Sequence, residues 1–139
     1  MAFDAFLKID GIKGESTDKG HPGEIDIESF SWGVTAPNSV GSAGGGGGVG
    51  KVVFSDLTIV KLVDTASPAL FKTAASGNFL PAVQLTCRKA GGTQQEFLTV
   101  KMTEVLVSSY KEGGNRHGGE FPTEEIAFSF AKVEMNVSR

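Results

Sequence analysis

The glycine-rich segment at residues 41–50, GSAGGGGGVG, constrains the fold of this chain more than any other feature. Seven of its ten residues are glycine, whereas the sequence on either side has the patterns of ordinary folded protein. Because glycine loses more conformational freedom on ordering than any other residue, a free segment of this kind would be a flexible tether. It is therefore either a linker between two independent units or a long loop of one domain that becomes ordered against a partner.

The segments before the glycines have the alternation of β-strands. Residues 3–9 alternate between apolar and other side chains, which is typical of a half-buried strand. Residues 24–34 keep their apolar residues inside only if the register slips by one residue near Glu28 and Ser29, as it does at a β-bulge. After that slip, we expect Ser31 to point away from the core.

The segments after the glycines continue the pattern. Residues 52–62 carry apolar side chains on both faces, which indicates a strand covered on both sides. Residues 82–88 and 95–107 predict an antiparallel hairpin with a KAGGT turn. In the last strand, at 126–137, the apolar residues change parity at 131–132, which predicts a second bulge.

One helix is predicted among these strands. Ser67 is a suitable N-cap, Pro68 fits the first helical position, and Gly77 fits the position just after the helix. A helix at about 67–77 is too short to be stable alone in water, so we expect it to dock on the strands.

The fold class that these elements predict is mainly β. We expect an antiparallel β-barrel or sandwich of two sheets, flanked by one short α-helix, with a long glycine-rich loop at about 36–51. Strands lie on both sides of the glycines, and neither side is long enough to form a core of its own. The sequence therefore favours a single domain that spans residues 1–139, in which the glycine segment is a loop.

Composition narrows the class of partner. The net charge is −3 and no group of basic residues is larger than the pair Arg88 and Lys89, so nucleic acid is not an expected partner. The N-terminus lacks the regions of a secretory signal, and no apolar run approaches the roughly 20 residues of a membrane span. We expect synthesis in the cytoplasm without a signal peptide, no membrane partner, and a single Cys87 that acts as a small buried hydrophobe.

No catalytic motif is complete. Gly45, Gly50 and Lys51 match most of a P-loop, but Val52 stands where a Ser or Thr would bind Mg²⁺. A strand rather than a helix is predicted after it, which leaves no helix N-terminus to hold phosphate. We therefore expect neither enzymatic activity nor a cofactor.

The other polar candidates have simpler interpretations. His21 and His117 lie in loops without the spacing of metal ligands, so we interpret them as surface histidines. Glu104 falls on an apolar face, which predicts a carboxylate satisfied by a partner at a barrel end or a subunit contact. Glu124 and Glu125 begin the last strand and are interpreted as a solvated edge.

Apolar area remains that one short helix cannot cover. A homo-oligomer would cover it economically, and a head-to-tail contact would generate a ring or a filament. The alternative is a small β-barrel module that binds a carbohydrate or a lipid in a pocket lined by aromatic residues such as Trp32.

An ordered series of segments resembles one known family. These are MAFDAFLKIDGIKGES at the start, SFSWG at 29–33, the glycine loop that ends in GK, SGNFLPAVQLTCRKAGG, and LTVKMTEVLVSSY. Together they resemble the Hcp (haemolysin-coregulated protein) family, the tube proteins of type VI secretion, from Met1 to about Val137.

The resemblance implies a β-barrel flanked by one helix that assembles as a hexameric ring. Such rings stack into a hollow tube, which a contractile sheath expels from the cell with a spike protein at its tip. The tube carries small effector proteins in its lumen. Many relatives continue for some tens of residues after the last strand, so we expect the contacts of such a tail to be absent here or made otherwise.

The resemblance also implies residue roles. Ser31 is the first candidate for a residue that faces the lumen and contacts effectors, and Ser29 is the second. The long loop after SFSWG is implied to make the contact between rings. Its residues here are Val40, Gly41, Ser42, Ala43, Gly44, Gly45, Gly46, Gly47, Gly48, Val49, Gly50 and Lys51.

Overall fold

A computed structural model describes residues 2–37, 51–91, 94–118 and 121–138. Within these ranges the chain forms nine strands and one helix. In chain order they are β1 (Phe3–Ile9), β2 (Ile25–Ile27), β3 (Ser29–Ser31), β4 (Val34–Thr35), β5 (Val53–Phe54), β6 (Leu57–Leu62), α1 (Ser67–Ser76), β7 (Leu80–Lys89), β8 (Glu96–Gly113) and β9 (Thr123–Val137).

Seven of these strands form one antiparallel sheet in the order β2-β1-β7-β8-β9-β6-β3. The two end strands, β2 and β3, are separated along the chain by Glu28 alone. The backbone N–H of Glu28 donates to the carbonyl oxygen of Val60 in β6 at 2.8 Å. The sheet therefore curls into a nearly closed barrel, and the break at Glu28 lies where the sequence predicts a slip.

Apolar side chains fill the interior of this barrel. Residues from every long strand are completely buried, and burial of each large side chain contributes about 1.5–3 kcal/mol. They include Leu7, Ile25, Leu57, Ile59, Leu85, Met102, Ile126 and Phe128. The interior is therefore packed with side chains from the strands.

The barrel wall bends along one line across β7, β8 and β9. Leu80, Val105 and Phe130 are paired side by side on that line, and the inward-facing parity of the strands changes there. Glu104 has a φ of +53°, the left-handed conformation, and its side chain is exposed. The prediction that Glu104 lies on the apolar face is therefore wrong, because this conformation breaks the alternation of β8.

The second predicted bulge lies at a different position in the structure. The register between β8 and β9 is continuous across 131–132, where the sequence predicts a slip. The register shifts instead between Val107 and Ser109. The parity change in β9 is matched by the left-handed residue in β8, so the two strands bend together without an inserted residue.

The helix α1 ends as predicted but begins differently. Gly77 has a φ of +71° and its N–H donates to the carbonyl oxygen of Thr73 at 3.2 Å. Ser67 lies inside the first turn, and the residue at the cap position is Ala66. The hydroxyl of Ser67 accepts the N–H of Asp64 at 3.0 Å, so it closes the turn before the helix rather than capping the helix itself.

The glycine segment connects two strands that pair with each other. Val34 pairs with Phe54 and Thr35 with Val53, so β4 and β5 form a two-stranded ribbon that extends from β3 and β6. The chain leaves the barrel through one strand of this ribbon and returns through the other. The prediction of one strand over 52–62 covered on both faces is wrong, because β5 is separate from β6 and exposed.

Candidate functional surfaces

The outer surface of the barrel at β3, β6, β9 and β8 carries mostly short side chains in two rows. Residues that lie directly opposite each other in antiparallel strands share a face, so the strand register defines the rows. We call this surface the serine face: one row is Ser31, Thr58, Ala127 and Ser109, and the next is Ser29, Val60, Glu125 and Lys111.

Both serines predicted as lumen candidates lie at one end of these rows, and both are exposed. The structure adds the neighbours that the sequence did not single out, such as Thr58 and Ala127. The alternation of β6 shows which of its residues face outward, but only the register places them beside Ser31.

The residues predicted to make the contact between rings fall mainly outside the described residues. This applies to residues 40–50. Lys51 is described, and it is exposed two residues before the ribbon strand β5. The described part of the chain shows only the ribbon strands that precede and follow this segment.

The ribbon is an exposed apolar surface. Val34, Val52, Val53 and Phe54 are each about half exposed. One side of the ribbon rests on the barrel, where the Phe54 and Phe130 rings meet edge to face with centroids 6.0 Å apart. The prediction that Val34 points into the core is wrong, since the ribbon leaves the barrel before that residue.

The second half of β9 is a sheet edge. Residues 123–128 pair with β6 on one side, but residues 129–137 pair only with β8 among the described residues. Met135 and Val137 on this segment are about 60% exposed. An unpaired strand edge with apolar side chains is a typical site of protein association.

The outer face of β1 and β7 is covered by the loop at 10–24. The guanidinium of Arg88 in β7 binds both carboxylate oxygens of Asp18 in this loop, at 2.7 and 2.8 Å, and contacts Asp4 at 3.2 Å. It also lies 5.0 Å from the centre of the Phe6 ring. We call Arg88, Asp4, Asp18 and Phe6 the arginine cluster.

Charge pairing in the arginine cluster shifts the pKa of both Asp18 and Arg88. The hydrogen bonds from Arg88 lower the pKa of Asp18 from 3.8 to about 2. Conversely, the hydrogen bond to Asp18 raises the pKa of Arg88, which burial alone would lower. The loop is therefore fixed to the barrel by a pair that stays ionised over the ordinary pH range.

His21 is buried in the same loop, so its interpretation as a surface histidine is wrong. Its ring stacks on Phe6 with centroids 4.4 Å apart. Its Nδ1 lies 3.0 Å from Glu24 and its Nε2 lies 2.8 Å from Glu96. His117, in contrast, is exposed as predicted.

A second group of buried charges lies where α1 meets the barrel end. The Nζ of Lys61 contacts Glu124 at 2.8 Å and Asp64 at 2.8 Å, and it donates to the hydroxyl of Ser67 at 3.3 Å. The hydroxyl of Tyr110 donates to the other oxygen of Glu124 at 2.6 Å. We call these five residues the lysine cluster.

The lysine cluster corrects the interpretation of Glu124 as part of a solvated edge. Lys61 and Glu124 are both completely buried, whereas Glu125 is exposed. Burial would raise the pKa of Glu124, but the hydrogen bonds from Lys61, Ser67 and Tyr110, together with the charge of Lys61, outweigh burial and lower it. Burial and the neighbouring Glu124 raise the pKa of Tyr110.

The described residues offer little that resembles a cofactor or ligand site. No three His, Cys, Asp or Glu side chains among them are grouped so as to hold a metal ion. A surface groove of about 590 Å³ lies outside the barrel between residues 8–13 and the turn at 20–24. Trp32 is not among its lining residues but packs on the core beside Phe130, so the predicted carbohydrate or lipid pocket is not favoured.

No helix within the described ranges has the length and apolar character that a membrane span requires.

Comparisons with known proteins give one consistent result. The sequence profile of the family described as "Type VI secretion system effector, Hcp" matches residues 6–137. The chain is 46% identical over 138 residues to protein hcp1 of Pseudomonas aeruginosa, an alignment that covers 98% of this chain and 83% of that protein.

Solved structures agree with this result. A type six secretion system protein superimposes with a TM-score of 0.91 at 34% identity, over 96% of this chain and 83% of the other. The crystal structure of Hcp1 from Salmonella typhimurium gives a TM-score of 0.82 at 34% identity, over 100% and 88% of the two chains.

The barrel with one docked helix, an exposed ribbon and an open strand edge defines a small β-protein with surfaces left for association. The chain belongs to the Hcp family, and it is a tube protein of type VI secretion.

Proposed function

We propose that six copies of this chain assemble head to tail into a closed ring. In this proposal the rings stack into a hollow tube, which a contractile sheath expels with a spike protein at its tip. The chain reaches the extracellular space or a target cell through the machine. It acts as a structural subunit rather than as an enzyme, and its family membership supports each of these roles.

The observation that carries the proposal is the open edge of β9. Residues 129–137 present backbone donors and acceptors that β8 does not use, beside the exposed side chains of Met135 and Val137. A strand edge gains affinity from main-chain hydrogen bonds when another strand is added to it. A contact between this edge and a different surface of the next copy is heterologous, and such contacts close into rings when the rotation permits.

The ribbon and residues 40–51 are assigned to the contact between rings. The exposed apolar residues Val34, Val53 and Phe54 lie on the strands from which this segment extends. Each such contact has an ordering cost because the segment is rich in glycine, and six copies acting together offset it.

The serine face is assigned to the lumen. Ser29 and Ser31 are the first cargo-contact candidates, and the rows add Thr58, Ala127 and Ser109. Short polar side chains form a low-relief surface that can contact varied small proteins through weak hydrogen bonds. This is the property that a carrier must have if it is to release its cargo.

A direct test of ring formation combines mass measurement in solution with electron microscopy of the purified protein. The wild-type chain should form rings, whereas a Met135→Lys/Val137→Lys variant should remain monomeric, because lysines on an open edge prevent strand addition. Phe121→Lys is the matched control, since Phe121 is equally exposed but is not in β9. A wild-type chain that stays monomeric at high concentration would refute the proposal.

The stacking assignment has its own test. Replacement of residues 44–48 by a short rigid linker should leave rings intact but reduce the length and number of tubes in micrographs. Tubes as long and as frequent as those of the wild type would contradict the assignment.

The lumen assignment is tested by labelling. Ser31→Cys, reacted with a maleimide-coupled gold cluster, should place density inside the ring. Lys19→Cys, in the loop that covers the opposite side of the barrel, should place it outside. Cys87 does not interfere, because it is buried and burial raises the pKa of its thiol to about 11. Gold from Ser31→Cys on the outer rim would overturn the assignment.

A further inference from the structure

The site of His21 has a hydrogen-bond pattern that the assembly proposal does not use. Its two ring nitrogens each face a carboxylate oxygen, that of Glu24 at 3.0 Å and that of Glu96 at 2.8 Å. An ionised carboxylate can only accept hydrogen bonds, and a neutral imidazole has only one N–H to donate. Both contacts are therefore satisfied together only when the ring carries a proton on each nitrogen.

The two carboxylates differ in how firmly they are held. Glu24 is three residues away, and its side chain is 15% exposed. Glu96 begins β8, 75 residues away along the chain, and its side chain is 52% exposed. When the ring loses one proton, Nδ1 can keep its N–H toward Glu24, while Nε2 presents a lone pair to Glu96. Because that contact is then repulsive and the Glu96 side chain can rotate toward solvent, Glu96 is the partner that loses its contact with His21.

The other charges near the ring are those of the arginine cluster and the carboxylate of Asp26, which lies opposite Phe6 in β2. The guanidinium of Arg88 lies over the same Phe6 ring on which His21 stacks, and its positive charge opposes a second cation nearby. Asp18 binds that guanidinium through two oxygens and Asp4 through one, so most of its charge is neutralised locally. Glu24 and Glu96 are thus the two carboxylates that contact the ring directly.

We propose that His21 is a pH-dependent latch between the loop at 10–24 and strand β8. The doubly protonated ring joins the loop to Glu96. Loss of one proton releases Glu96, so the loop loosens from the covered face of the barrel while the bonds between Arg88 and Asp18 keep it attached. This inference is independent of the ring proposal.

Backbone hydrogen exchange of the full-length protein reports the latch. Within the loop, the N–H groups of Gly14, Ser16 and Gly23 donate to Gly23, Glu24 and Ser16, so their protection measures how firmly the loop is closed. As pH rises and the ring loses a proton, their protection should fall about tenfold, beyond the intrinsic pH effect. A tenfold change corresponds to one hydrogen bond between charged groups. The fall should coincide with the His21 ring titration in NMR spectra.

Two variants separate the latch from a merely structural role. In His21→Gln the pH dependence should disappear. In Glu96→Gln the amide can donate to the unprotonated Nε2, so protection should stay high at pH 8 and become independent of pH. His117→Gln, which changes an exposed histidine, should keep the wild-type profile. Protection that is flat with pH in the wild type while the His21 ring titrates would overturn the proposal, and so would Glu96→Gln with an unchanged profile.

Discussion

The lysine cluster and the arginine cluster both place a cation beneath a segment that lies outside the barrel, but water reaches them differently. In the lysine cluster, the side chains of Lys61 and Glu124 are both completely buried. In the arginine cluster, Arg88 is buried, but the side chains of Asp18 and Asp4 are 24% and 43% exposed. If one partner of the ion pair is removed from the lysine cluster, the remaining charge stays buried away from water. In the arginine cluster, a remaining carboxylate can be hydrated. Removal of one partner should therefore reduce the folding stability more in the lysine cluster.

The largest effect is expected at Lys61. Lys61→Met removes the cation and leaves the Glu124 carboxylate buried without its ion pair, which should destabilise the fold by about 3–5 kcal/mol. Urea unfolding at fixed protein concentration measures this change. Lys72→Met, at an exposed position on α1, is the control and should stay within about 0.5 kcal/mol of the wild type.

The double variant Lys61→Met/Glu124→Leu shows whether an isolated charge is the cause. It removes both charges, so it should recover much of the lost stability. If the double variant is as unstable as Lys61→Met alone, the cost comes from lost packing around the lysine and not from the buried carboxylate.

A smaller loss is expected at Arg88. Arg88→Met breaks the two hydrogen bonds to Asp18 and the one to Asp4. Because both carboxylates can rotate toward solvent, the free energy of unfolding should fall by about 1.5–3 kcal/mol. Arg88→Lys keeps the charge without the two-pronged geometry and should fall between wild type and Arg88→Met. A loss at Arg88 equal to that at Lys61 in the same urea experiment would contradict the distinction between the clusters.

Acid should act on the arginine cluster through Asp18. The hydrogen bonds from Arg88 lower the pKa of Asp18 in the folded protein to about 2, below its ordinary 3.8. Its contribution is therefore complete above about pH 4 and is lost as pH falls toward 2. The stability difference between wild type and Asp18→Asn should be largest near pH 6 and should shrink through that window. Asp10→Asn, at an exposed position, should show a small difference at every pH.

The same contrast explains how much the sequence could predict. The barrel and its helix follow from local patterns, such as the alternation of β1 and the Pro68 and Gly77 signals at the ends of α1. The break at Glu28 was also visible locally, because the apolar residues on its two sides have opposite parity. Each of these signals lies within a few residues of the structure that it predicts.

The buried charges could not be predicted in this way. Glu124 is paired with Lys61 across 63 residues, and His21 meets Glu96 across 75 residues. A charged residue in a loop or at a strand end is ordinarily solvated, so the local pattern alone favours the wrong environment. For Ser31 the sequence predicts outward exposure, but its neighbours on the serine face depend on the register of four strands.

The smallest effect, and the only expected increase in stability, is at Glu104. The unfavourable energy at this residue lies in its backbone conformation and not in an ion pair. At a φ of +53° a residue with a Cβ is strained by about 1–2 kcal/mol. Glycine avoids that strain but loses about 0.5–1 kcal/mol in conformational entropy on folding. Glu104→Gly should therefore stabilise the protein by about 0.5–1 kcal/mol, whereas Lys101→Gly, at an exposed and regular position of the same strand, should destabilise it by a similar amount. If Glu104→Gly fails to raise the melting temperature in thermal unfolding, the backbone strain at Glu104 is no larger than the conformational entropy that glycine loses on folding.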